Sequence, residues 1–260
     1  MLKPRVIPVL LIQNKGLVKT VKFKDPKYVG DPLNAVRIFN EKEVDELVVL
    51  DIDASTDGRE PNYTLIENLA AECRMPLCYG GGIRTVAHAE KILSLGVEKI
   101  AISSAFFENP ELIEKISKRV GSQSVVVVLD VRKKRITRNY ECYVLNGKIS
   151  TKKSPFDMAR LAEKLGAGEV LINSIDLDGV GSGYDLSLVF QLNSNLELPL
   201  TVLGGVGNYG HIGELISQEG IIGAAAGSVF VFKGKYRAVL INYPKGPEKE
   251  AILNLSGYSK

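Results

Sequence analysis

Short, nearly continuous apolar runs alternate along the chain with longer segments whose apolar positions recur at helical spacing. Eight of the runs read as strands: RVIPVLLIQ from Arg5, ELVVLDID from Glu46, PLCYGGG from Pro76, KIAISS from Lys99, VVVVLDV from Val125, EVLINSID from Glu169, PLTVLGG from Pro199 and GAAAGSVFVF from Gly223. Their β-branched content and flanking glycines favour strand over helix at this length. Between them, ENPELIEKISKRV sets Leu112, Ile113, Ile116 and Val120 on one helical face, with Asn109 as N-cap and Pro110 at the first helical position. TVAHAEKILSLG ends at Gly96, a natural residue just past a helix. Strands apolar on both faces and followed by amphipathic helices describe a parallel sheet covered by helices. Eight such units close into a (β/α)8 TIM barrel, although an open doubly wound sheet satisfies the same rhythm.

One stretch departs from that rhythm. In RKKRITRNYECYVLNGKIST, residues 132–151, ITRNYECYV alternates and Asn146-Gly147 is a hairpin-turn signal, so a small β-hairpin insertion follows strand five. There is also an internal echo. LVVLDIDASTDG followed by LCYGGGI resembles VLINSIDLDG followed by TVLGGV, and Gly81 and Gly204 lie 123 positions apart, as a half-barrel repeat requires. No low-complexity linker divides the chain, which reads as one domain over residues 1–260.

Composition narrows the class. A hydrophobic fraction of 45% in 260 residues excludes disorder and collagen and suffices for one large core. The net charge of +3, from 33 basic and 30 acidic residues without a basic tail, implies no nucleic-acid partner. The RKKRITR stretch near Tyr140 and Tyr143 reads first as a solvated or protein-facing surface. Three cysteines without CxxC spacing suit a reduced cytoplasmic protein, and the longest apolar stretch, residues 220–232, is shorter than the roughly 20 residues that span a bilayer. His88 and His211 lack metal-ligand spacing, so neither a metal nor a cofactor is expected.

Ligands of such a barrel sit at the C-terminal strand ends, where loop amides and short helices bind phosphate. Two cradles fit: Gly81 and Gly82 with Ser103 and Ser104 after strands three and four, and Gly204 and Gly205 with Gly227 and Ser228 after strands seven and eight. Either set taken alone is equally a pair of tight turns; together they suit a small molecule with a phosphate at each end. Lys19 and its neighbouring lysines add charge, though a solvated surface is the plainer role for any one of them. Of the acids at strand ends, Asp51, Asp53, Asp130, Asp176 and Asp178, the alternation Val126, Val128, Asp130 turns Asp130 toward the mouth, where it serves acid/base chemistry or accepts loop amides. At the other end Arg5, Glu46, Lys99 and Glu169 each precede an apolar run. If all four face inward they must pair by sign, capping the core or gating an axial passage.

The opening MLKPRVIP, GDPLNAVRIFNEKEVDELVVLDIDAS, YGGGIRT, GSQSVVVVLDV and SIDLDGVGSGYD closely resemble the cyclase subunit of imidazole glycerol phosphate synthase, from about residue 1 to residue 232. The resemblance implies a barrel paired with a class I glutaminase, whose ammonia enters at the bottom and crosses to the mouth. There a ribonucleotide with phosphates at both ends is cyclised and split, a lyase reaction. It implies that Arg5, Glu46, Lys99 and Glu169 form the ammonia gate, that Glu98 and Gln123 face the glutaminase, and that Asp130 is one of two catalytic carboxylates. The position of the other belongs to Leu11, in PVLLIQ where the family has a motif resembling CLDV. Leucine exchanges no proton. That departure favours a divergent copy of the kind found beside lipopolysaccharide and surface-sugar genes, a barrel that activates a glutaminase and conducts ammonia to a third, ATP-dependent amidotransferase forming acetamidino sugars. The alternative is a working cyclase of histidine biosynthesis, with Asp130 acting alone or helped by an acid such as Asp176.

Overall fold

A computed structural model describes residues 3–254. The first two residues of the MLKPRVIP opening, and residues 255–260 of the expected domain, lie outside the described residues. The eight strands are β1 Arg5–Gln13, β2 Leu47–Asp51, β3 Leu77–Gly80, β4 Lys99–Ile102, β5 Val125–Lys133, β6 Glu169–Ser174, β7 Leu200–Leu203 and β8 Gly223–Ala226. Each pairs in parallel with its neighbours, and the ring closes where Arg5 of β1 lies opposite Gly223 of β8. The closed parallel ring is a (β/α)8 barrel and excludes the open sheet.

Alternation along each strand divides the core in two. Ile7, Val9, Val48, Ala101, Val126, Val128, Leu171 and Ala225 fill the interior. Val6, Leu10 and Ile12 face outward onto the helices, where Phe39, Ile66, Ile113 and Leu215 meet them. The principal helices are α1 Pro32–Glu41, α2 Tyr63–Glu72, α3 Val86–Ser94, α4 Glu111–Val120, α5 Pro155–Lys164, α6 Leu186–Asn193, α7 Tyr209–Glu219 and α8 Gly246–Asn254. Side-chain caps start several of them: Asp31 accepts from Asn34 N at 2.9 Å and Thr85 from His88 N at 3.1 Å. The expected Asn109 cap is different. Pro110 occupies the cap position in helical conformation with no side-chain cap bond, and it is the Asn109 carbonyl that accepts Leu112 N. Gly96 follows α3 with φ of +99°, as expected of a residue past a helix end.

Several strands stop earlier than their apolar runs, because glycine, serine and aspartate at their ends turn into loops. GAAAGSVFVF divides, Gly223–Ala226 being strand and Ser228–Val231 a helical turn. That turn buries Phe230 and Val231 together, whereas a strand would send them to opposite faces. Two insertions rise above the mouth. After β5 the chain folds back as Tyr140–Val144 and Ile149–Ser150, with Leu145, Asn146 and Gly147 all at positive φ in the turn. Arg132 stacks over Tyr143 and Lys133 over Tyr140, at 5.0 and 4.9 Å, so this hairpin's own cations occupy its tyrosine faces. The other insertion has no counterpart in the sequence reading: Gly16–Val21 pairs antiparallel with the end of β1 and then with Lys24–Gly30. The insertions meet, since a Cβ on Gly147 would lie 3.2 Å from Phe23.

The bottom of the barrel is fastened by the far end of the chain. The Tyr243 hydroxyl donates to Val6 O at 2.9 Å, while the Asp45 carboxylate accepts Val6 N at 2.9 Å and Lys249 Nζ at 2.5 Å. The half-barrel repeat is visible in local detail. His88 Nδ1 lies 3.4 Å from Arg84 N and His211 Nδ1 lies 3.2 Å from Gly207 N, again with 123 positions between corresponding residues.

Candidate functional site

A cavity of about 350 Å³ opens at the C-terminal ends of the strands. Its wall brings together every residue of both expected cradles: Gly81, Gly82, Ser103 and Ser104 on one side, Gly204, Gly205, Gly227 and Ser228 on the other. These follow β3 and β4, and β7 and β8, so they face each other across the eight-stranded ring. Ser103 Oγ is buried and has no hydrogen-bond partner among the described residues. Gly205 cannot be otherwise. Its φ is +107°, and a Cβ there would lie 1.9 Å from Gly183 O. Gly205→Ala should therefore destabilise the protein by about 2 kcal/mol or more through backbone strain, and thermal unfolding with and without inorganic phosphate would also show the phosphate-induced gain reduced.

Asp130 lines the same cavity, on the inward face that the alternation of β5 requires. Burial pushes its carboxyl up to about 7, opposed by a hydrogen bond from Asn173 Nδ2 at 3.0 Å and reinforced by the negative charge of Asp178. Leu11 also lines the cavity, so the leucine stands inside the site.

Lys19 differs from the surface role given it by sequence. It sits on the unforeseen Gly16–Val21 strand, is 6% exposed, and donates from Nζ to Val9 O at 2.5 Å. Burial lowers its pKa to about 8, against the attraction of Asp178. Its Nζ lies 2.6 Å from where a Gly227 Cβ would be, which puts its charge at the second cradle.

Asp176 is also placed otherwise than as a helper of Asp130. It does not line the cavity, and its carboxylate accepts Lys133 N at 3.1 Å, because the chain has left the strand by that residue and alternation no longer aims it inward. Asp178 is the acid that turns in. It accepts from Thr20 Oγ1 at 2.7 Å and Phe23 N at 3.3 Å, tying the first insertion to the loop after β6, and burial raises its pKa. Asp51 accepts the amides of Asp53 and Ala54, both at 3.1 Å, and so shapes the loop after β2.

At the bottom the four charged residues form one alternating ring. Arg5 bonds Glu46 and reaches Glu169 at 2.8 Å; Lys99 Nζ contacts Glu46 at 3.0 Å and Glu169 at 2.8 Å. Burial alone would raise the Glu169 carboxyl, but Arg5 and Lys99 outweigh it and hold it below the usual range. Both cations are raised in turn, the two glutamates overcoming their burial. Sequence reasoning missed Thr201, which is 1% exposed and donates to Glu169 while lying 3.3 Å from Arg5 Nη2. Glu98 and Gln123 are exposed beside the starts of β4 and β5, at the same end as the ring. Cys73, Cys78 and Cys142 are free, and burial raises all three thiols. Among the described residues no three His, Cys, Asp or Glu side chains gather as metal ligands, and no helix is long and apolar enough to cross a membrane.

A family model described as "Histidine biosynthesis protein" matches residues 5–237. The chain belongs to this family. Within the histidine biosynthesis family it is HisF-like. It is 58% identical over 255 residues, covering 98% of both chains, to the "Putative imidazole glycerol phosphate synthase subunit hisF3" of Vibrio vulnificus. It is 53% identical over 244 residues to the "Putative imidazole glycerol phosphate synthase subunit hisF2" of Pseudomonas aeruginosa, covering 94% of this chain and 97% of that one. The "Imidazole glycerol phosphate synthase subunit HisF" of Clostridium botulinum is 36% identical over 245 residues, with the same coverage. One further polar group of this family member escaped the sequence reading. Asn173, 5% exposed, lines the cavity beside Asp130, and the series Glu169, Leu171, Asn173 would have aimed it inward by the rule applied to Asp130.

Proposed function

We propose that this chain is the cyclase subunit of an imidazole glycerol phosphate synthase. On this reading it takes ammonia and a ribonucleotide phosphorylated at both ends, closes an imidazole ring, and releases imidazole glycerol phosphate and an aminoimidazole carboxamide ribotide. The observation that carries the reading is the position of Asp130, a partly buried carboxylate in a cavity with a glycine-serine cradle on each side. With a pKa of about 7 it can take and return a proton at neutral pH. Leu11 contributes none, and the buried Lys19, near 8, adds its charge at the second cradle of the same cavity. The sign-alternating ring at the bottom supports entry of ammonia there. A class I glutaminase would dock on that face, against Glu98 and Gln123, and neutral ammonia would cross the apolar interior more readily than ammonium.

Leu11 supports a second reading, in which the barrel activates the glutaminase and hands ammonia to a third enzyme acting on a surface sugar. The comparisons favour the first, because the relatives described above carry the synthase subunit name. Steady-state cyclisation by the purified chain, supplied with ammonium chloride at alkaline pH so that no glutaminase is needed, separates the two. Turnover comparable with a family cyclase that keeps both carboxylates is the expected result. A folded chain that binds inorganic phosphate but forms no product would overturn it and favour ammonia delivery.

A further inference from the structure

Strand β6 turns three residues into the barrel in succession. Glu169 belongs to the charged ring, Leu171 to the apolar interior, and Asn173 to the cavity wall. An ionised Asp130 can only accept, so the Asn173 amide presents Nδ2 to it, at 3.0 Å. Asn173 Oδ1 is thereby left as a buried acceptor with no hydrogen-bond partner among the described residues. Such an atom is a standing cost in the free protein, relieved by any ligand that brings a donor. The chain beside it is held close: Gly204 has φ of +99°, and a Cβ there would lie 3.2 Å from Oδ1.

The chemistry of the acceptor restricts its ligand. Phosphate oxygens carry no N–H and are repelled by an amide oxygen, so the two cradles do not account for it. A small N–H donor arriving from the bottom ring would pass Ile7, Val48, Cys78, Ala101, Val126 and Leu171, among which the Cys78 thiol alone offers a side-chain hydrogen bond, and a weak one. Asn173 Oδ1 and the Asp130 carboxylate stand side by side beyond that layer. We infer that Asn173 Oδ1, together with Asp130, is the receiving site for ammonia at the cavity end of the barrel. One N–H is donated to Oδ1 and another to Asp130, which leaves the nitrogen lone pair free for the electrophilic carbon. The inference rests on the proposed passage of ammonia through the barrel.

The test uses the full chain and Asn173→Leu, a replacement of similar volume whose folding is checked by thermal unfolding. With ammonium chloride as nitrogen source at fixed alkaline pH, the variant should show KM for ammonia raised about ten-fold, the effect of one lost hydrogen bond, and KM for the ribonucleotide unchanged. A fall in kcat with KM for ammonia unchanged would make Asn173 only a positioning residue for Asp130 and overturn the inference. A rise confined to the ribonucleotide KM would assign Oδ1 to the substrate and overturn it equally. A second readout needs no turnover. Crystals soaked in thallium(I), a heavy cation of ammonium-like size, should show anomalous density within coordinating distance of Asn173 Oδ1 and Asp130 in the native chain and none there in the variant. No density at that place in the native chain would overturn the site. Absence of cyclisation by the native chain would instead sink the synthase reading while the thallium result still decided the ammonia site.

Discussion

Asp130→Asn should lower the cyclisation rate by about 10²- to 10⁴-fold and, at the same time, make the protein more stable at pH 8. Both effects come from burial, which lifts the carboxyl to about 7 despite the opposing bond from Asn173. A carboxyl raised on folding holds its proton more tightly in the folded than in the unfolded chain. The stability it contributes is present in full below about pH 4 and is lost as pH rises through about 7. The asparagine variant does not titrate, so its advantage should grow across that window to at most about 4 kcal/mol. Denaturant unfolding at pH 4 and pH 8 measures it. In the native chain kcat/KM, taken at constant free ammonia, should rise through an apparent pKa near 7 as the base form appears. A variant within ten-fold of native turnover would remove Asp130 from proton transfer.

The second large effect is expected at the opposite end. Arg5→Met leaves Glu46 and Glu169 to share Lys99 alone, with both carboxylates still mostly buried. Removing one partner of a buried ion pair costs about 3 to 5 kcal/mol. Because the Arg5 side chain is itself 27% exposed, the lower figure is the better expectation. That corresponds to a fall in Tm of roughly 6 to 12 °C for a chain of this size. The pH dependence should distinguish the two proteins. In the native chain Glu169 is held below its usual range, so its contribution is present above the ordinary carboxyl pKa and lost as pH falls through the depressed value. In the variant the excess negative charge of the two carboxylates is relieved by protonation, so the Tm gap should narrow toward pH 4. A gap independent of pH would show that lost packing, not lost charge, was responsible.

The strands were legible because a barrel strand is buried on both faces, and runs such as VVVVLD and RVIPVLL have no other stable place. Their ends were not, since YGGG and NSID contain the very residues that leave the sheet to build a ligand site. The first insertion was hidden for a related reason. In GLVKTV, Lys19 and Thr20 are buried with Leu17 and Val18, so polarity does not mark the two faces. Alternation turned Asp130 inward because it lies within β5, while Arg5, Lys99 and Glu169 open their strands and Glu46 stands one residue before β2, so only their opposite signs linked them. It could not place Asp176 and Asp178, which lie past the end of β6 where side-chain direction follows the loop. Asn173 lay within reach of the same rule, but a neutral amide in a polar strand end drew no attention. Thr201 gave no signal, since its role depends on Arg5 and Glu169 arriving from distant parts of the chain.

The fastening of Val6 by Tyr243 and Asp45 bears on how the chain is made. Of the eight barrel strands β1 is made before the others, yet one of its two barrel neighbours, β8, is made after them, and the tyrosine that secures the seam comes later still. Through most of synthesis, therefore, the backbone of β1 on its β8 side lacks its final partner, as does the matching edge of whatever strand has just appeared. Such edges invite pairing with other chains. The seam is consequently where a nascent copy is most exposed to misassembly, with Arg5 able to pair with Glu46 but still awaiting Glu169.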